Sequence, residues 1–369
     1  MKTTIAYSQY GHPEDRDPAT LADEQALFAR YEEIAWAEEL RWDTRYRKQR
    51  LLGAGGQGAV YLAERLGADG FVRPVALKVF SPETYRDSQA YVKDMEACAR
   101  VSARVALIQS DHVVDIHDFI ERQSIRLMEM EWLDGYDLRE VLSQQMLDRT
   151  SEKVSLERRQ YVDRVILTAG PSQPRLLPGV AIAVLRDCLA GLAALHGAGI
   201  VHGDIKPANI MMTRTGNAKI IDIGTAIDLR GTNLRRMWSP AYAAPEVLQG
   251  GDNTPRSDLA SLGYVLVEML AGRPLFEGSG TIPELVDAKK KMDHKLSDVL
   301  PPEISSNELL LNLCQRLIAA DPENRFPNAQ SADVGRKGAA DFHRQLVKGN
   351  LASEYEHDIR GWLEQLAVV

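Results

Sequence analysis

One short segment of the chain holds side chains that can transfer a phosphoryl group. His202–Asn209 contains Asp204, Lys206 and Asn209, and Asp222 follows thirteen residues after the asparagine. An aspartate such as Asp204 can accept the proton of a hydroxyl group, and a lysine two residues away can neutralise charge on the group in transit. Asn209 and Asp222 offer hard oxygen ligands, which Mg²⁺ binds together with nucleotide phosphates. These residue types at this spacing predict phosphoryl-transfer chemistry.

A glycine-rich loop lies nearer the start of the chain. Gly53, Gly55 and Gly58 form the pattern G-x-G-x-x-G, and Val60 follows two residues later. A dinucleotide-binding fold requires a helix directly after such glycines. Here strand-like residues lie on both sides, so we expect the loop to fold over phosphates and to offer them its backbone N–H groups.

Lys78 lies within a predicted strand, Val75–Val79. It alternates with Ala76, so both side chains are expected on the same face, beneath the glycine loop. An ammonium group placed there can meet the α- and β-phosphates of a nucleotide, and it needs a carboxylate to hold it in position.

Taken in order, these motifs resemble those of protein kinases, and their wording is closest to that of bacterial-type members of the eukaryotic-like (Hanks-type) serine/threonine kinases. The pattern H-x-D-x-K-x-x-N is similar to the kinase catalytic loop, and D-x-G at Asp222 to its metal-binding motif. Three later segments resemble the end of the activation segment, the buried helix below it and a late arginine motif: Ser239–Glu246, Ser257–Gly263 and Asp321–Arg325. The resemblance covers roughly residues 45–340.

The resemblance implies ATP and Mg²⁺ as cofactors and a protein hydroxyl as acceptor. The residues that it assigns to catalysis are Asp204, Lys206, Lys78 and Glu96, and those that it assigns to the metal are Asn209 and Asp222. The residues that it places around the nucleotide are Gly53, Gly55, Gly58, Val60, Ala76, Lys78, Glu131, Leu133, Asp137 and Met211, with Met130 behind the adenine. In this arrangement the backbones of Glu131 and Leu133 bind the base, and Asp137 reaches the ribose.

Glu96 is the carboxylate expected to hold Lys78, because it lies eighteen residues later in the following helix, the spacing that the resemblance suggests. Asp94 is a competing candidate on the same helix. We prefer Glu96 because its side chain is longer.

Further implications concern structure and specificity. The resemblance predicts a buried ion pair between Glu246 and Arg325, and a contact from Asp258 to the backbone of the catalytic loop. Lys206 and Ser239 favour serine or threonine over tyrosine as the acceptor, since tyrosine-specific kinases usually differ at these positions.

The sequence departs from the kinase pattern in three places. Gly203 replaces an arginine, Ile223 replaces the phenylalanine of D-F-G, and residues 143–178 form an insertion. Because small-molecule kinases of the aminoglycoside and choline phosphotransferase type also carry His-Gly-Asp, such an enzyme is one alternative. An ATP-binding pseudokinase scaffold is another, and the presence of the lysine, the catalytic aspartate and both metal ligands counts against it.

The glycine at position 203 has a regulatory implication. In many kinases the arginine found there binds a phosphate on the activation loop, and without a guanidinium group that phosphate loses its usual partner. We therefore predict a kinase that does not depend on activation-loop phosphorylation, so that alanine at Thr225 and Thr232 leaves most activity intact. Three arginines of the same loop remain alternative partners for a phosphate: Arg230, Arg235 and Arg236.

The order of predicted strands and helices, together with the resemblance, predicts an α+β, bilobal kinase-like fold. It has a small five-stranded lobe with one helix and a larger, mainly helical lobe. The predicted strands are Arg50–Val60, Tyr61–Arg65, Val75–Phe80, Val113–Phe119 and Ile125–Glu131, and the clearest helices are 88–105, Val180–Gly197 and Ser257–Ala271. The predicted domains are an N-terminal extension with a helix (1–44), the first lobe (45–133), the second lobe (134–345, with the insertion near 143–178) and a C-terminal helical tail (346–369). In that tail one apolar face is shared by Ile359, Trp362, Leu363 and Leu366.

Bulk properties limit the setting and the partners. The 369 residues carry a net charge of −8, which argues against a nucleic-acid-binding surface as the main purpose. Three widely spaced cysteines in apolar stretches predict reduced, buried thiols and a cytoplasmic setting. The most apolar run, Gly179–Leu195, is interrupted by Arg186 and Asp187, so no membrane span is expected. The helices near either end are candidate sites for a regulatory partner.

Overall fold

The computed structural model describes residues 45–85, 87–230, 238–276, 280–348 and 355–366. The chain divides into two compact units, residues 1–47 with 65–72, and residues 48–64 with 73–369. The predicted N-terminal helix at 18–40 lies outside the described residues, and the predicted domain boundaries stay predictions. Within the described part of the first unit, a turn is closed by a hydrogen bond from the Gly67 N–H to the Phe71 carbonyl (2.7 Å). Positive φ angles at Asp69 and Gly70 make this turn.

The five predicted strands form a single sheet. They are β1 (Arg45–Gly55), β2 (Gly58–Leu66), β3 (Val72–Phe80), β4 (Ile116–Arg122) and β5 (Ile125–Glu131), in the order β1-β2-β3-β5-β4. The end of β1 and the start of β2 were predicted too late in the chain, because the turn between them falls at Gly56-Gln57. β3 and β5 pair antiparallel with Ala76 opposite Met130 and Lys78 opposite Met128, so Ala76 and Lys78 share a face as predicted.

The one helix of this region, α1 (Ser88–Val105), has the predicted bounds. Its first turn is capped by the Asp87 side chain, which accepts from the Ala90 N–H at 2.7 Å. An apolar stripe on one face, which includes Tyr91 and Met95, is buried. Packing of this stripe fixes the rotation of α1, because burying it leaves the other faces toward solvent.

The rest of the chain is mainly helical. Its helices are α2 (Leu138–Val141), α3 (Gln144–Lys153), α4 (Leu156–Val165), α5 (Pro178–Gly197), α6 (Pro245–Leu248), α7 (Pro255–Ala271), α8 (Ile282–Lys290), α9 (Met292–Val299), α10 (Pro302–Ser305), α11 (Glu308–Ile318), α12 (Ala329–Val334), α13 (Ala339–Lys348) and α14 (Tyr355–Gln365). α5 and α7 are the most deeply buried, and their apolar residues form the centre of the core.

α5 is long and apolar enough to cross a membrane by length and composition, which the sequence prediction had excluded. Core helices of folded domains pass the same test. In this structure α5 lies in the core, and its two charged residues have partners: Arg186 pairs with Asp333 at 2.7 Å, and Asp187 accepts from the Ala218 N–H at 2.8 Å.

Short strand pairs bring distant parts of the chain to one place. β6 (Gly135–Asp137) and β11 (Ala218–Ile220) flank β10 (Ile210–Thr213), and Met211 lies opposite Asp137. β9 (Ile200–Val201) pairs with β12 (Ile227–Asp228), so the segment before Gly203 and the segment after Asp222 run side by side.

Residues 143–178 and the C-terminal helix pack against each other. The segment forms α3, α4 and a small hairpin of β7 (Leu167–Thr168) and β8 (Arg175–Leu176). The Trp362 indole donates to Thr150 Oγ1 at 3.2 Å, and the Tyr161 hydroxyl donates to Asp358 at 2.7 Å. The predicted apolar face of the tail is confirmed, because Ile359, Trp362, Leu363 and Leu366 are all buried.

The predicted ion pair between Glu246 and Arg325 is confirmed. The two form a bidentate pair, with Nη1 to Oε1 at 2.6 Å and Nη2 to Oε2 at 2.8 Å. Arg325 is buried and also donates from Nε to the Ala319 carbonyl at 2.8 Å. The Glu246 side chain is partly buried and would lose both of these bonds without the arginine, so the pair fixes the end of the segment that begins at Ser239.

We expect Arg325→Met to lower the free energy of unfolding by about 3 kcal/mol, because it removes a fully buried guanidinium and leaves the partly buried Glu246 carboxylate without its partner. Urea unfolding followed by circular dichroism measures this. The matched control is Arg256→Ala, which removes a surface pair with the exposed Glu323 and should cost less than about 1 kcal/mol. Equal losses in the two variants would contradict a structural role for the buried pair.

Candidate active site

A buried carboxylate holds the backbone of the catalytic loop. Asp258 at the start of α7 accepts the N–H of His202 (2.9 Å) and the N–H of Gly203 (2.9 Å), as predicted. His196 at the end of α5 approaches the same carboxylate at 2.9 Å. Gly203 has φ +79°, a left-handed conformation that favours glycine. This conformation sets the direction in which the chain continues from the Gly203 N–H to Asp204.

The His202 side chain has a structural place. Its Nε2 donates to the Ile221 carbonyl at 3.1 Å, and its Nδ1 accepts the Asp204 N–H at 3.3 Å. The ring is buried and links the catalytic loop to the residue before Asp222.

Asp204 is surrounded by donors that fix its orientation. Lys206 Nζ donates to Asp204 Oδ2 at 2.6 Å and to the Ser239 hydroxyl at 2.9 Å. The Ser239 N–H donates to Asp204 Oδ1 at 2.8 Å. Asn209 donates from Nδ2 to the Asp204 carbonyl at 2.8 Å, which leaves its own Oδ1 as an acceptor. The predicted loop residues therefore form one connected group.

Lys78 and Asp222 form an ion pair, with Nζ to Oδ1 at 2.5 Å. Burial alone would raise the pKa of the Asp222 carboxyl, but the Lys78 charge and hydrogen bonds from Lys78 and the Gly224 N–H outweigh it, so the pKa lies below its usual value. Asp222 takes a left-handed conformation (φ +59°). Lys78 also donates to the Gln57 side chain at the tip of the glycine loop, at 2.8 Å.

The predicted pairing of Lys78 with Glu96 is not formed in this structure. Glu96 is exposed on α1. It directly follows Met95, a residue of the buried stripe, and the turn of the helix rotates its side chain by about 100° away from that stripe. Asp94 accepts from the Tyr85 hydroxyl at 2.5 Å. Cys98 of α1 is buried close enough to the pair to be affected by its charges: burial raises the pKa of its thiol to about 11, and the Lys78 charge opposes this.

One cavity of about 610 Å³ brings the predicted site residues together, a size typical of ligand pockets. Those lining it are Gly53, Gly55, Gly58, Val60, Ala76, Lys78, Met130, Glu131, Leu133, Asp137, Asp204, Lys206, Asn209, Met211 and Asp222. The Glu131 side chain accepts from Lys219 at 2.6 Å and from the Asp115 N–H at 2.8 Å, so its carboxylate already has partners. The role predicted for Glu131 uses its backbone and not this side chain.

The glycines of the loop differ in what surrounds them. A Cβ on Gly58 (φ +129°) would lie 1.9 Å from the Val79 carbonyl, so glycine is required there by packing. A Cβ on Gly53 or Gly55 would meet no described atom within 4 Å, although both line the cavity. The open space above these two backbones fits a bound phosphate chain.

Two contacts were not predicted from sequence. Gln57 lies at one of the variable positions of G-x-G-x-x-G, where nothing in the pattern selects a partner for Lys78. Ser239 was predicted to influence the acceptor, but its contacts to both Asp204 and Lys206 depend on how the segment folds back.

Residues 46–333 match the protein kinase domain family. This chain belongs to that family. The family match agrees with the order of the motifs around this cavity. It favours a protein kinase domain over the small-molecule phosphotransferase alternative.

Several relatives of this kinase domain are named serine/threonine-protein kinases. The chain is 27% identical to PrkC of Bacillus subtilis over 81% of its length, and 29% identical to PknL of Mycobacterium tuberculosis over 78%. It is 29% identical to PknB of the same organism over 77%. The chain spans 41%, 63% and 41% of these three relatives. It is therefore similar to bacterial-type members, as predicted.

A solved structure confirms the predicted fold class of this chain. A mutant kinase domain of Mycobacterium tuberculosis PknI superposes with a TM-score of 0.53 and 23% identity, covering 84% of this chain and 99% of that one. The likeness shows the protein kinase fold, with its five-stranded sheet and helical region.

We expect alanine at Gly58 to lower stability and alanine at Gly53 to weaken nucleotide binding. Gly58→Ala should destabilise the kinase by at least about 1–2 kcal/mol, because a Cβ forces a strained backbone to move. Gly53→Ala should leave the melting temperature within about 2 °C but weaken nucleotide binding, because the methyl group enters the cavity. Differential scanning fluorimetry with and without ATP checks both, and a Gly53→Ala protein that binds ATP normally would contradict the assignment of the loop.

Proposed function

We propose that this chain is an ATP-dependent protein kinase that transfers the γ-phosphoryl group to a serine or threonine hydroxyl. The observation that carries the proposal is the group formed by Asp204, Lys206 and Ser239, held at 2.6–2.9 Å contacts in the cavity lined by the glycine loop. The names of the relatives support the acceptor class.

The residues have separate tasks in this proposal. Asp204 accepts the proton of the acceptor hydroxyl, and its two oxygens are already oriented by Ser239 and Lys206. Lys206 offsets negative charge that develops during transfer. Lys78, which is fixed by Asp222, orients the α- and β-phosphates, for which it would release Gln57.

Asn209 and Asp222 would hold Mg²⁺. Their donor set fits a hard cation, because the Asn209 amide is oriented with Oδ1 as the remaining acceptor and Asp222 stays ionised well below neutral pH. Mg²⁺ bound there supplies positive charge to the phosphates, as it does in phosphoryl transfer generally. The ring of the base would lie between Val60, Ala76 and Met211.

We propose that activity does not depend on a phosphate in the activation loop. Gly203 offers no guanidinium group, and its φ of +79° gives a backbone reason for the glycine. The start of the loop is tied instead by Arg104 of α1, which pairs with Asp228 and donates to the Ala198 carbonyl. Thr232, Arg235 and Arg236, which the sequence prediction also concerned, lie outside the described residues.

A cytoplasmic location stays a proposal, supported by three free, buried cysteines. Either terminal helix could receive a regulatory partner. For α14 that partner would meet the face opposite its buried apolar stripe.

We expect Asp204→Asn to lower the turnover number about 10²- to 10⁴-fold, because the general base is lost while the fold is kept. Incorporation of radiolabel from γ-labelled ATP into casein and into the chain itself measures this. ATP affinity by calorimetry and the melting temperature serve as controls. Equal label incorporation by the native and variant chains would refute catalysis by Asp204.

We expect the native kinase to keep most of its initial rate after complete dephosphorylation. The chain is treated with a protein phosphatase, its phosphate-free state is verified by intact mass, and the phosphatase is removed before the casein assay. A rate that falls more than tenfold and recovers with autophosphorylation would contradict independence from loop phosphorylation.

A further inference from the structure

A lysine is fully buried beside the segment that follows Ser239. Lys289 lies in α8, and its side chain has 0% exposure. Lysine is almost never fully buried without a partner, since its ammonium group loses its hydration. Among the described residues no carboxylate lies within 4.0 Å of its Nζ, so its environment must stabilise the amine in another way.

The amine is held by one carbonyl and two aromatic rings. Lys289 Nζ donates to the Ala241 carbonyl at 2.6 Å. It lies 3.8 Å from the ring centroid of Tyr264 and 4.1 Å from that of Phe276. These two rings meet edge to face at 5.2 Å. Aromatic faces attract a cation, and in both its charged and its neutral form the amine can donate to the carbonyl.

Electrostatics agree with the geometry. Burial lowers the pKa of Lys289 well below its usual value, and the negative charge of Glu246 opposes this only in part. A surface lysine is hydrated and adds to solubility, whereas the buried Lys289 is not. We therefore take its hydrogen bond to the Ala241 carbonyl as the reason for an amine at this position.

The carbonyl that Lys289 binds is in the middle of a segment with two fixed ends. At one end Ser239 contacts Asp204 and Lys206, and at the other Glu246 is paired with Arg325. The residue after Ala241, Tyr242, donates its hydroxyl to buried Glu268 at 2.7 Å. The N–H groups of Tyr242 and Ala243 both donate to the Ser239 carbonyl at 3.0 Å, so the turn is closed from within. Lys289 adds the contact that ties the Ala241 carbonyl of this turn to α8.

We propose that Lys289 is a positioning residue for the protein substrate, because its buried amine sets the path of residues 239–246 alongside Asp204. An acceptor hydroxyl that reaches Asp204 must lie next to Ser239, so the chain around that hydroxyl runs over this segment. The inference rests on the proposed kinase activity. It assigns to α8 a part in substrate binding that acts through the Ala241 carbonyl and not through direct contact.

The test compares Lys289→Met with Lys289→Gln, two side chains of similar size of which only glutamine can donate to the carbonyl. Lys290→Met is the matched control, since Lys290 is the exposed neighbour on the same helix. Steady-state assays give kcat, the KM for casein and the KM for ATP. For Lys289→Met we expect the KM for casein to rise about five- to tenfold, with the KM for ATP unchanged. Lys289→Gln should lie nearer the native value, and Lys290→Met should equal it.

The outcomes separate this inference from a general loss of structure. An unchanged KM for casein in Lys289→Met, an equal rise in the KM for ATP, or identical values for methionine and glutamine would each overturn it. If Lys289→Met does not fold, Phe276→Leu keeps the amine and removes one ring; a KM for casein raised at least threefold supports the inference, and an unchanged value overturns it. A native chain that phosphorylates neither casein nor itself contradicts the proposed function instead.

Discussion

The catalytic loop depends on a single buried carboxylate. Asp258 accepts two consecutive backbone N–H groups, those of His202 and Gly203, and the positive φ of Gly203 then turns the chain toward Asp204. Residue 204 then follows with its side chain directed toward Lys206 and Ser239. Since α7, which carries Asp258, is among the most deeply buried helices, the geometry of the loop is tied to the centre of the core. A carboxylate that binds backbone groups fixes position without adding a competing side chain to the site.

Two further anchors hold the segment after Ser239 to the helical part of the chain. They are the Glu246–Arg325 pair and the Lys289–Ala241 contact, and in each the basic side chain is fully buried. Burying such a group costs hydration energy, so removing its partner is more costly than breaking a surface pair.

The sequence predicted the strands, the long helices and the members of the cavity, because these follow from periodicity and from motifs that are read along the chain. Lys78 and Ala76 share a face simply because side chains alternate in a strand. The partner of Lys78 could not be predicted in the same way. It depends on the rotation of α1, which the burial of Tyr91, Met95 and Cys98 decides. The helical spacing of these buried residues leaves Glu96 outside the buried face. The prediction of Glu96 as the partner was based only on its distance in sequence from Lys78.

Contacts between segments far apart in sequence were the least predictable. No local pattern connects Lys289 with Ala241, or the segment at 143–178 with the C-terminal helix. Only the path of the chain brings these partners together. The burial of the apolar face of α14 could be predicted, but the surface that covers it could not.

The C-terminal helix gives the folded domain a different limit from the family match, which ends at residue 333. Tyr355 lies against Gly179, where any side chain would meet its hydroxyl at 2.0 Å, and Arg214 donates to the Leu363 carbonyl at 2.7 Å. Arg214 also pairs with Asp134, a residue of the cavity wall. A protein shortened to the limit of the family match would therefore lose one side of its own core and one of the two contacts of an arginine that is paired with the cavity wall.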